Sequence, residues 1–183
     1  NDMTVAPLRR SLADRTYGNP FFIEESVRAL AEAGVLTGLP GEYRVQDTRT
    51  EIRVPATLES VIAARIDRLT IELKELLQAA AVVGGDISWE LLLAVSGLPA
   101  TAFQQRLSAL LEVDILYAAQ IFPSATYRFK HALILDVVYG GMLRTLRRRL
   151  HARTAGVVEE LYRDRLGEHL ERHHRERPAP RGL

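Results

Sequence analysis

The order of segments between residues 55 and 140 restricts the fold more than any other feature of this sequence. Four stretches with apolar residues at helical spacing follow one another, with breaks that include Gly84-Gly85 and Gly97. Two β-rich segments come next, ILYAA (115–119) and TYRFK (126–130). Short helices followed by a two-stranded wing are the order of a winged-helix domain, and we predict that domain over residues 55–140.

Capping residues and apolar spacing place the helices of this region. We predict helices over residues 57–69, 71–83, 89–96 and 100–112. Thr70 and Ser88 suit the N-cap positions of the second and third, because their side-chain oxygens can accept backbone N–H groups. Ile66 and Leu110 occupy central places on apolar faces, so we expect both to be core residues of the winged helix.

The first 54 residues predict two helices and a hairpin. The helices cover residues 7–17 and 20–34 and are separated by Gly18-Asn19, with Pro20 suited to a first helical turn. Residues 42–54 alternate between apolar and polar side chains around a polar turn, which favours a hairpin. We therefore divide this part into a helical segment at 1–40 and a hairpin linker at 41–54.

Residues 141–183 are predicted to be helical and to end in a disordered tail. Helical spacing runs from Ala132 to about Tyr162, with a break near Gly140-Gly141. A last, separate helix is expected at about 165–176. The fold class is then mainly α with two small β-hairpins.

Composition excludes several classes of protein. The chain has 183 residues, of which 47% are hydrophobic and 26% charged, as in a globular protein. It has no cysteine, which rules out disulfides and Cys-ligated metal sites. No apolar run approaches the ~18 residues of a membrane span. We expect a cytoplasmic protein that does not contact the membrane.

No catalytic motif stands out. The sequence has no GxxxxGK[ST], HExxH or G-x-S-x-G, and we expect this chain not to be an enzyme and to hold no metal. His169 and His173 have the i, i+4 spacing of metal ligands, but no third ligand is placed, and solvated surface histidines are the preferred interpretation.

Basic charge is concentrated late in the chain. Residues 1–127 carry a net charge of −5 and residues 128–183 one of +6, and 22 of the 24 basic residues are arginine. Five arginines lie close together between Arg144 and Arg153. They could form a patch for phosphate or an acidic partner, or a solvated helix face, and the second interpretation is preferred.

A winged helix also raises the possibility of DNA binding, with 100–112 as the recognition helix. That helix has no net charge and a single arginine. Since phosphate neutralisation dominates DNA affinity, nucleic acid is an unlikely partner.

Three segments together resemble a known family. RTYGNPFFIEESVRALAEAGVL (15–36) is similar to the GNPFF(L/I)EE stretch in the lid of STAND-type signalling ATPases, which are relatives of the AAA+ ATPases. VPATLESVIAARIDRLTIELKELLQAAAVVG (54–84) resembles their VP-T-x5-ARIDRL-x9-LLQAAAV run, and the segment from Tyr127 to Tyr162 resembles the YRF-x-HAL region that follows. The order and spacing of the segments match as well.

The resemblance implies a nucleotide site shared with a domain that this sequence does not contain. In the family, a Gly-x-Pro of the lid contacts adenine, which corresponds here to Gly18, Asn19 and Pro20. A histidine of the winged helix reaches the β-phosphate of ADP, and His131 is the matching position. ATP or ADP would be bound in a longer parent protein, and we expect none bound to this chain alone.

The resemblance also implies a regulatory role. Residues 1–40 correspond to the lid, and residues 141–183 to the start of a TPR-like helical repeat. The partners would be an N-terminal ATPase core and an effector domain such as a class III adenylate cyclase, a protein kinase or a LuxR-type domain. The alternative is a winged-helix DNA-binding transcriptional regulator.

Overall fold

The computed structural model describes residues 5–39, 42–45, 57–122 and 124–175. The chain forms two compact units, residues 1–69 and residues 70–183. The described residues are mainly helical, with one two-stranded and one three-stranded antiparallel sheet, which confirms the predicted fold class.

The described residues of the first unit form three helices and a short hairpin. Its elements are α1 (Ala6–Thr16), α2 (Pro20–Glu32), β1 (Leu36–Thr37), β2 (Arg44–Val45) and α3 (Leu58–Asp67). An apolar core joins α1, α2 and β1, and its buried members are Leu8, Leu12, Leu30 and Leu36. Burying an aliphatic side chain of this size stabilises the fold by roughly 1.5–3 kcal/mol.

The hairpin of the first unit differs from the predicted one. Val45 pairs with Leu36, which lies earlier in the chain and is buried in the core. The sequence analysis instead expected a partner within 42–54, and the far half of that segment lies outside the described residues. A strand of two residues at 36–37 is too short to show the alternation by which strands are predicted.

Helix α3 begins with a capping box and belongs to the first unit. The Thr57 hydroxyl accepts the Ser60 N–H at 3.2 Å, and the Ser60 hydroxyl accepts the Thr57 N–H at 3.4 Å. The division of the chain falls after Leu69, whereas the sequence analysis placed this helix in the winged helix. Ile66 is only partly buried, so its prediction as a winged-helix core residue is wrong.

The second unit begins with a winged-helix arrangement. Its elements are α4 (Ile71–Val83), β3 (Ile87–Ser88), α5 (Trp89–Ser96), α6 (Ala100–Glu112), β4 (Leu116–Gln120) and β5 (Thr126–Phe129). The sheet order is β3-β5-β4, with all pairs antiparallel. Strand β3 completes the sheet and was not predicted, because it too has only two residues.

The predicted caps of this unit are confirmed. The Thr70 hydroxyl accepts the Leu73 N–H at 3.4 Å, and the Ser88 hydroxyl accepts the Leu91 N–H at 3.1 Å. Gly97 ends α5 in the left-handed conformation, with φ of 66°, which costs a glycine little.

Large apolar side chains fill the core of the second unit. Leu110 is completely buried, as predicted, and the rings of Trp89 and Phe103 are nearly perpendicular, with their centroids 4.7 Å apart. The other large fully buried side chains of this unit come from α4, α5, α6, α7 and the sheet with the residue before β4, and they are Leu76, Leu77, Ile87, Leu92, Leu107, Ile115, Leu116 and Ile134.

Two further helices follow the sheet, α7 (Ala132–Gly141) and α8 (Arg144–Arg175). The break between them lies where Gly140-Gly141 predicted it. The separate helix expected at 165–176 is wrong, because α8 continues without interruption to Arg175. Neither proline nor glycine occurs between Tyr162 and Arg165, so nothing there ends a helix.

None of the helices in the described part of the chain combines the length and the apolar character that crossing a membrane requires.

Candidate functional site

His131 caps the N-terminus of α7. The strand β5 ends at Phe129, and α7 begins at Ala132, so His131 occupies the junction that the sequence predicted. Its Nδ1 accepts the Leu133 N–H at 3.3 Å, and its backbone is extended, with φ of −144° and ψ of 141°. The residue is exposed. A histidine that accepts a hydrogen bond through Nδ1 carries its proton on Nε2 when neutral.

This geometry suits an anion at the start of α7. The positive end of the helix dipole lies at this terminus, and a proton on Nε2 makes the imidazole a hydrogen-bond donor. A hydrogen bond to a phosphate oxygen would be charge-assisted. The capping role of Nδ1 was not predicted, and it gives His131 a structural function in addition to any contact with a ligand.

Gly18, Asn19 and Pro20 form the exposed turn between α1 and α2. Asn19 is the N-cap of α2, and its Oδ1 accepts the N–H groups of Phe21 at 3.1 Å and Phe22 at 3.3 Å. Pro20 is the first helical residue, as predicted. Gly18 has φ of 73°, a left-handed conformation that explains a glycine at this position.

The predicted site residues therefore fall into two groups. Gly18, Asn19 and Pro20 are adjacent in the first unit, and His131 lies in the second. Each group sits at the start of a helix with a side-chain cap.

The exposed side of α6 is uncharged except at one end. A shallow groove there is lined by Thr101, Gln104, Gln105, Ser108, Ala109 and Glu112. The helix's arginine, Arg106, lies beside α4 instead, where its Nη1 donates to the Glu72 carbonyl at 3.3 Å and lies 3.5 Å from the Glu75 carboxylate. A face that binds the major groove of DNA needs cations to neutralise phosphates, and this one presents a carboxylate.

Two of the five clustered arginines have structural contacts. Arg147 donates to the Tyr139 carbonyl at the end of α7 at 2.7 Å, and its guanidinium lies 4.2 Å from the centre of the Tyr139 ring. Arg153 packs against Gly97 at the end of α5. Cations at these helix C-termini interact favourably with the negative end of the dipole.

The remaining three arginines, Arg144, Arg148 and Arg149, are exposed. They agree with the solvated face preferred from the sequence, whereas Arg147 is half-buried and the exposed Arg153 also packs against Gly97. The spacing of arginines in the sequence does not distinguish these two kinds.

An ion pair on the wing was missed by the sequence analysis. Arg128 on β5 binds the carboxylate of Asp86 and also the Tyr117 hydroxyl, which lies on the neighbouring strand. The hydrogen bond from Arg128 lowers the pKa of Asp86, and its charge acts in the same direction. Both side chains are about half exposed, so the pair contributes little to stability.

A buried ion pair in the first unit was also missed. Arg65 of α3 donates through Nη1 to both carboxylate oxygens of Glu25 on α2, at 2.7 and 2.8 Å. Arg65 follows Val61 by one helical turn on a face that is otherwise apolar. This position was the sign in the sequence that the arginine is buried and paired. An arginine on such a face is buried only when it is paired.

No cluster of three or more potential metal ligands occurs among the described side chains. Those of His169 and His173, the spaced pair in the sequence, lie outside them.

Comparison with known proteins shows a similarity to a protein that is described as uncharacterized. No protein-family model matches the chain. Over 146 residues, or 78% of the chain, it is 29% identical to an uncharacterized protein of Rhizobium meliloti (strain 1021). The chain spans 13% of that relative's length.

Proposed function

We propose that this chain is the regulatory part of a nucleotide-dependent signalling switch of the STAND type, with a lid in the first unit and a winged helix in the second. In this role it clamps ADP together with an ATPase core and couples the nucleotide state to an effector such as an adenylate cyclase. It contributes binding contacts and no catalytic group. The proposal rests on the resemblance of three segments in matching order.

The observation that carries the proposal is the position of His131. The exposed imidazole caps the start of α7, and a helix N-terminus favours anions, which supports a phosphate contact at this position. The exposed turn at Gly18, Asn19 and Pro20 supports the same interpretation, because a residue without a side chain permits close approach of a flat base.

The test separates the two roles of His131 in a parent protein that joins this chain to an ATPase core. His131→Ala removes the cap together with the imidazole. His131→Ser keeps a capping oxygen and removes only the imidazole that would contact the phosphate. We expect both variants to bind ADP roughly ten- to a hundredfold more weakly, since a hydrogen bond to a charged group is worth ~1.5–3 kcal/mol. We expect only the alanine variant to lose the stability of the cap, about 1 kcal/mol.

ADP affinity and melting temperature, measured side by side, decide the assignment. If His131→Ser binds ADP as the wild type does while His131→Ala melts earlier, His131 is a cap and not a ligand of the nucleotide. If ADP holds the switch in its inactive state, weaker ADP binding should raise the basal output of the effector. An output that stays at the wild-type level in His131→Ser would agree with a purely structural role.

The chain by itself is expected to bind ATP and ADP weakly or not at all. Phosphates of nucleotides are ordinarily held by a glycine-rich loop and its lysine, and this sequence contains neither. Calorimetry that gave a micromolar ADP affinity for residues 1–183 would contradict this expectation.

The DNA-binding alternative has one observation in its favour, the winged-helix arrangement itself. The groove on α6 opposes it, because it has no cation and its one charged lining residue is Glu112. Gel-shift titration with duplex DNA at low and high salt tests it, because binding that weakens steeply with salt would indicate phosphate contacts.

A further inference from the structure

The first half of α8 has two unlike sides. One side lies against α4 and α5 within the second unit, and its half-buried residues are Leu146, Arg147, Leu150, Thr154 and Val157. At about 3.6 residues per turn, the opposite side is formed by residues that are all exposed. We call this side the outer face, and its residues are Arg148, Arg149, Ala152, Gly156, Glu159 and Glu160.

Charge on the outer face changes sign along the helix. Arg148 and Glu159 are about three turns apart, so they lie in one row along the face. Arg149 and Glu160 form a second row in the same way. In each row the glutamate lies about 16 Å beyond the arginine, toward the end of α8. None of the four has an ion pair among the side chains that the structure describes.

A second copy of α8 in the antiparallel direction matches this arrangement. A two-fold axis at the level of residue 154, perpendicular to the helix, places Arg148 of each copy opposite Glu159 of the other. The same axis places Arg149 opposite Glu160, so every charge in the two rows meets an opposite charge. Parallel helices would instead place arginine opposite arginine and glutamate opposite glutamate, which costs free energy. The charges therefore select the antiparallel direction.

The middle of the outer face allows two helices to come close. Ala152 and Gly156 lie there, and the two-fold axis places each of them opposite the other in the second copy. Helices approach more closely where the side chains between them are small. A Cβ on Gly156 would meet nothing within 4 Å, so the packing of the second unit does not require a glycine. Glycine destabilises a helix interior relative to alanine, and a second helix at this position would account for it.

From these observations we propose that the outer face of α8 binds the outer face of a second copy of this chain, with the two helices antiparallel. The face is self-complementary, as a two-fold interface requires. A single pair of helices buries less than the ~1,200 Å² of a standard interface, so we expect a weak dimer with a dissociation constant on the order of 100 μM. This proposal goes beyond the regulatory function proposed above and does not rest on nucleotide binding.

Sedimentation equilibrium of the 183-residue chain gives the first test. At neutral pH, about 50 mM NaCl and about 0.5 mM protein, we expect the dimer to predominate. Raising NaCl to about 500 mM should weaken association at least fivefold, because salt screens exposed charges. A chain that stayed monomeric at low salt would overturn the proposal and leave the outer face to a different partner.

Charge reversal tests the rows themselves. Arg148→Glu with Arg149→Glu makes all four charges negative, and Glu159→Arg with Glu160→Arg makes all four positive. We expect each double variant alone to associate at least tenfold more weakly than the wild type. An equal mixture of the two double variants should recover association, since every contact between them joins opposite charges. Recovery in the mixture also shows that the variants are folded.

The control for charge reversal is Glu90→Arg with Asp136→Arg. It changes the net charge as much as the reversal of the two glutamates, at exposed positions of α5 and α7, and should leave association unchanged. If the reversals on α8 associated as the wild type does, or if the control weakened association equally, the copies would not meet through the outer face. Either result would overturn the proposal.

Cross-linking tests the direction of the helices. The chain has no cysteine, so Thr145→Cys and Arg163→Cys place single thiols at exposed positions of α8. The antiparallel pair brings position 145 of one copy opposite position 163 of the other, about 27 Å along the helix from its own position 145. On oxidation, we expect a mixture of the two variants to form mainly the mixed disulfide. Efficient cross-linking of Thr145→Cys to itself would indicate parallel helices and overturn the proposal.

Discussion

The two units attach their helices in different ways. In the first unit, a buried ion pair and a rim ion pair join α3 to α2, and Val61 and Ile62 of α3 are buried as well. In the second unit, α4, α5 and α6 share one set of fully buried apolar side chains with the sheet. Apolar burial joins many neighbours at once and favours cooperative unfolding, whereas an ion pair joins two side chains and can be lost locally.

This difference bears on how a switch could be built. An element that must change its contacts is better attached through polar or charged groups, because water solvates them when the contact opens. An element that must keep its shape is better packed. In the first unit, ion pairs that water could solvate join α3 to α2 beside buried apolar side chains, whereas the winged helix is held by apolar packing.

The largest expected effect concerns the packed unit. Leu110→Ala removes a completely buried side chain, and we expect the second unit to lose about 2–5 kcal/mol of unfolding free energy. Urea unfolding measures this loss, and Ser108→Ala on the exposed side of α6 is the control. If Leu110→Ala behaved like Ser108→Ala, the cooperative core assigned to this unit would be wrong.

A smaller effect is expected at the junction of α5 and α8. A Cβ on Gly97 would displace only the flexible end of the Arg153 side chain, whereas φ of 66° at this position strains any residue that has a side chain. We therefore expect Gly97→Ala to cost about 1–3 kcal/mol. Gly156→Ala is the matched control, because a Cβ there meets open space within α8 and should stabilise by up to about 1 kcal/mol.

The two glycine variants can be compared by thermal unfolding. Should Gly97→Ala, like Gly156→Ala, raise the melting temperature, the left-handed backbone conformation of Gly97 would not exist in solution.

The smallest effect belongs to the exposed pair of the wing. Arg128 lowers the pKa of Asp86 below its ordinary value of 3.8. The ionised carboxylate therefore stabilises the fold at pH values above 3.8, and this contribution disappears as the pH falls through the lowered pKa. Asp86→Asn should therefore be slightly less stable than the wild type at pH 7, and the difference should shrink toward pH 2. Urea unfolding at both pH values measures it.

Salt provides the control for this pair, since screening at 1 M NaCl should reduce the difference at pH 7. A difference that was independent of both pH and salt would mean that the Asp86–Arg128 pair does not act through its charge.

Elements whose signals are local were predicted from the sequence. Thr70 and Ser88 cap their helices because the capping oxygen lies within three residues of the N–H it accepts. Strands β1 and β3 escaped prediction because two residues show no period, and their pairing depends on distant partners.

The candidate site shows the same limit. The position of His131 before α7 followed from the change between strand and helix patterns, but its use of Nδ1 as a cap depends on side-chain geometry. Arg65 was missed because its charge is satisfied by Glu25, forty residues earlier. Contacts of this range leave no periodic signal in the sequence.

The contact between Trp89 and Phe103 has a spectroscopic consequence. Trp89 is the chain's single tryptophan, and it lies in the second unit. Tryptophan fluorescence of this protein therefore reports on the winged helix, while circular dichroism sums over the helices of both units. If the two units melt separately, the fluorescence transition will follow only one of the two dichroism steps, and the wild-type chain can reveal this without any label.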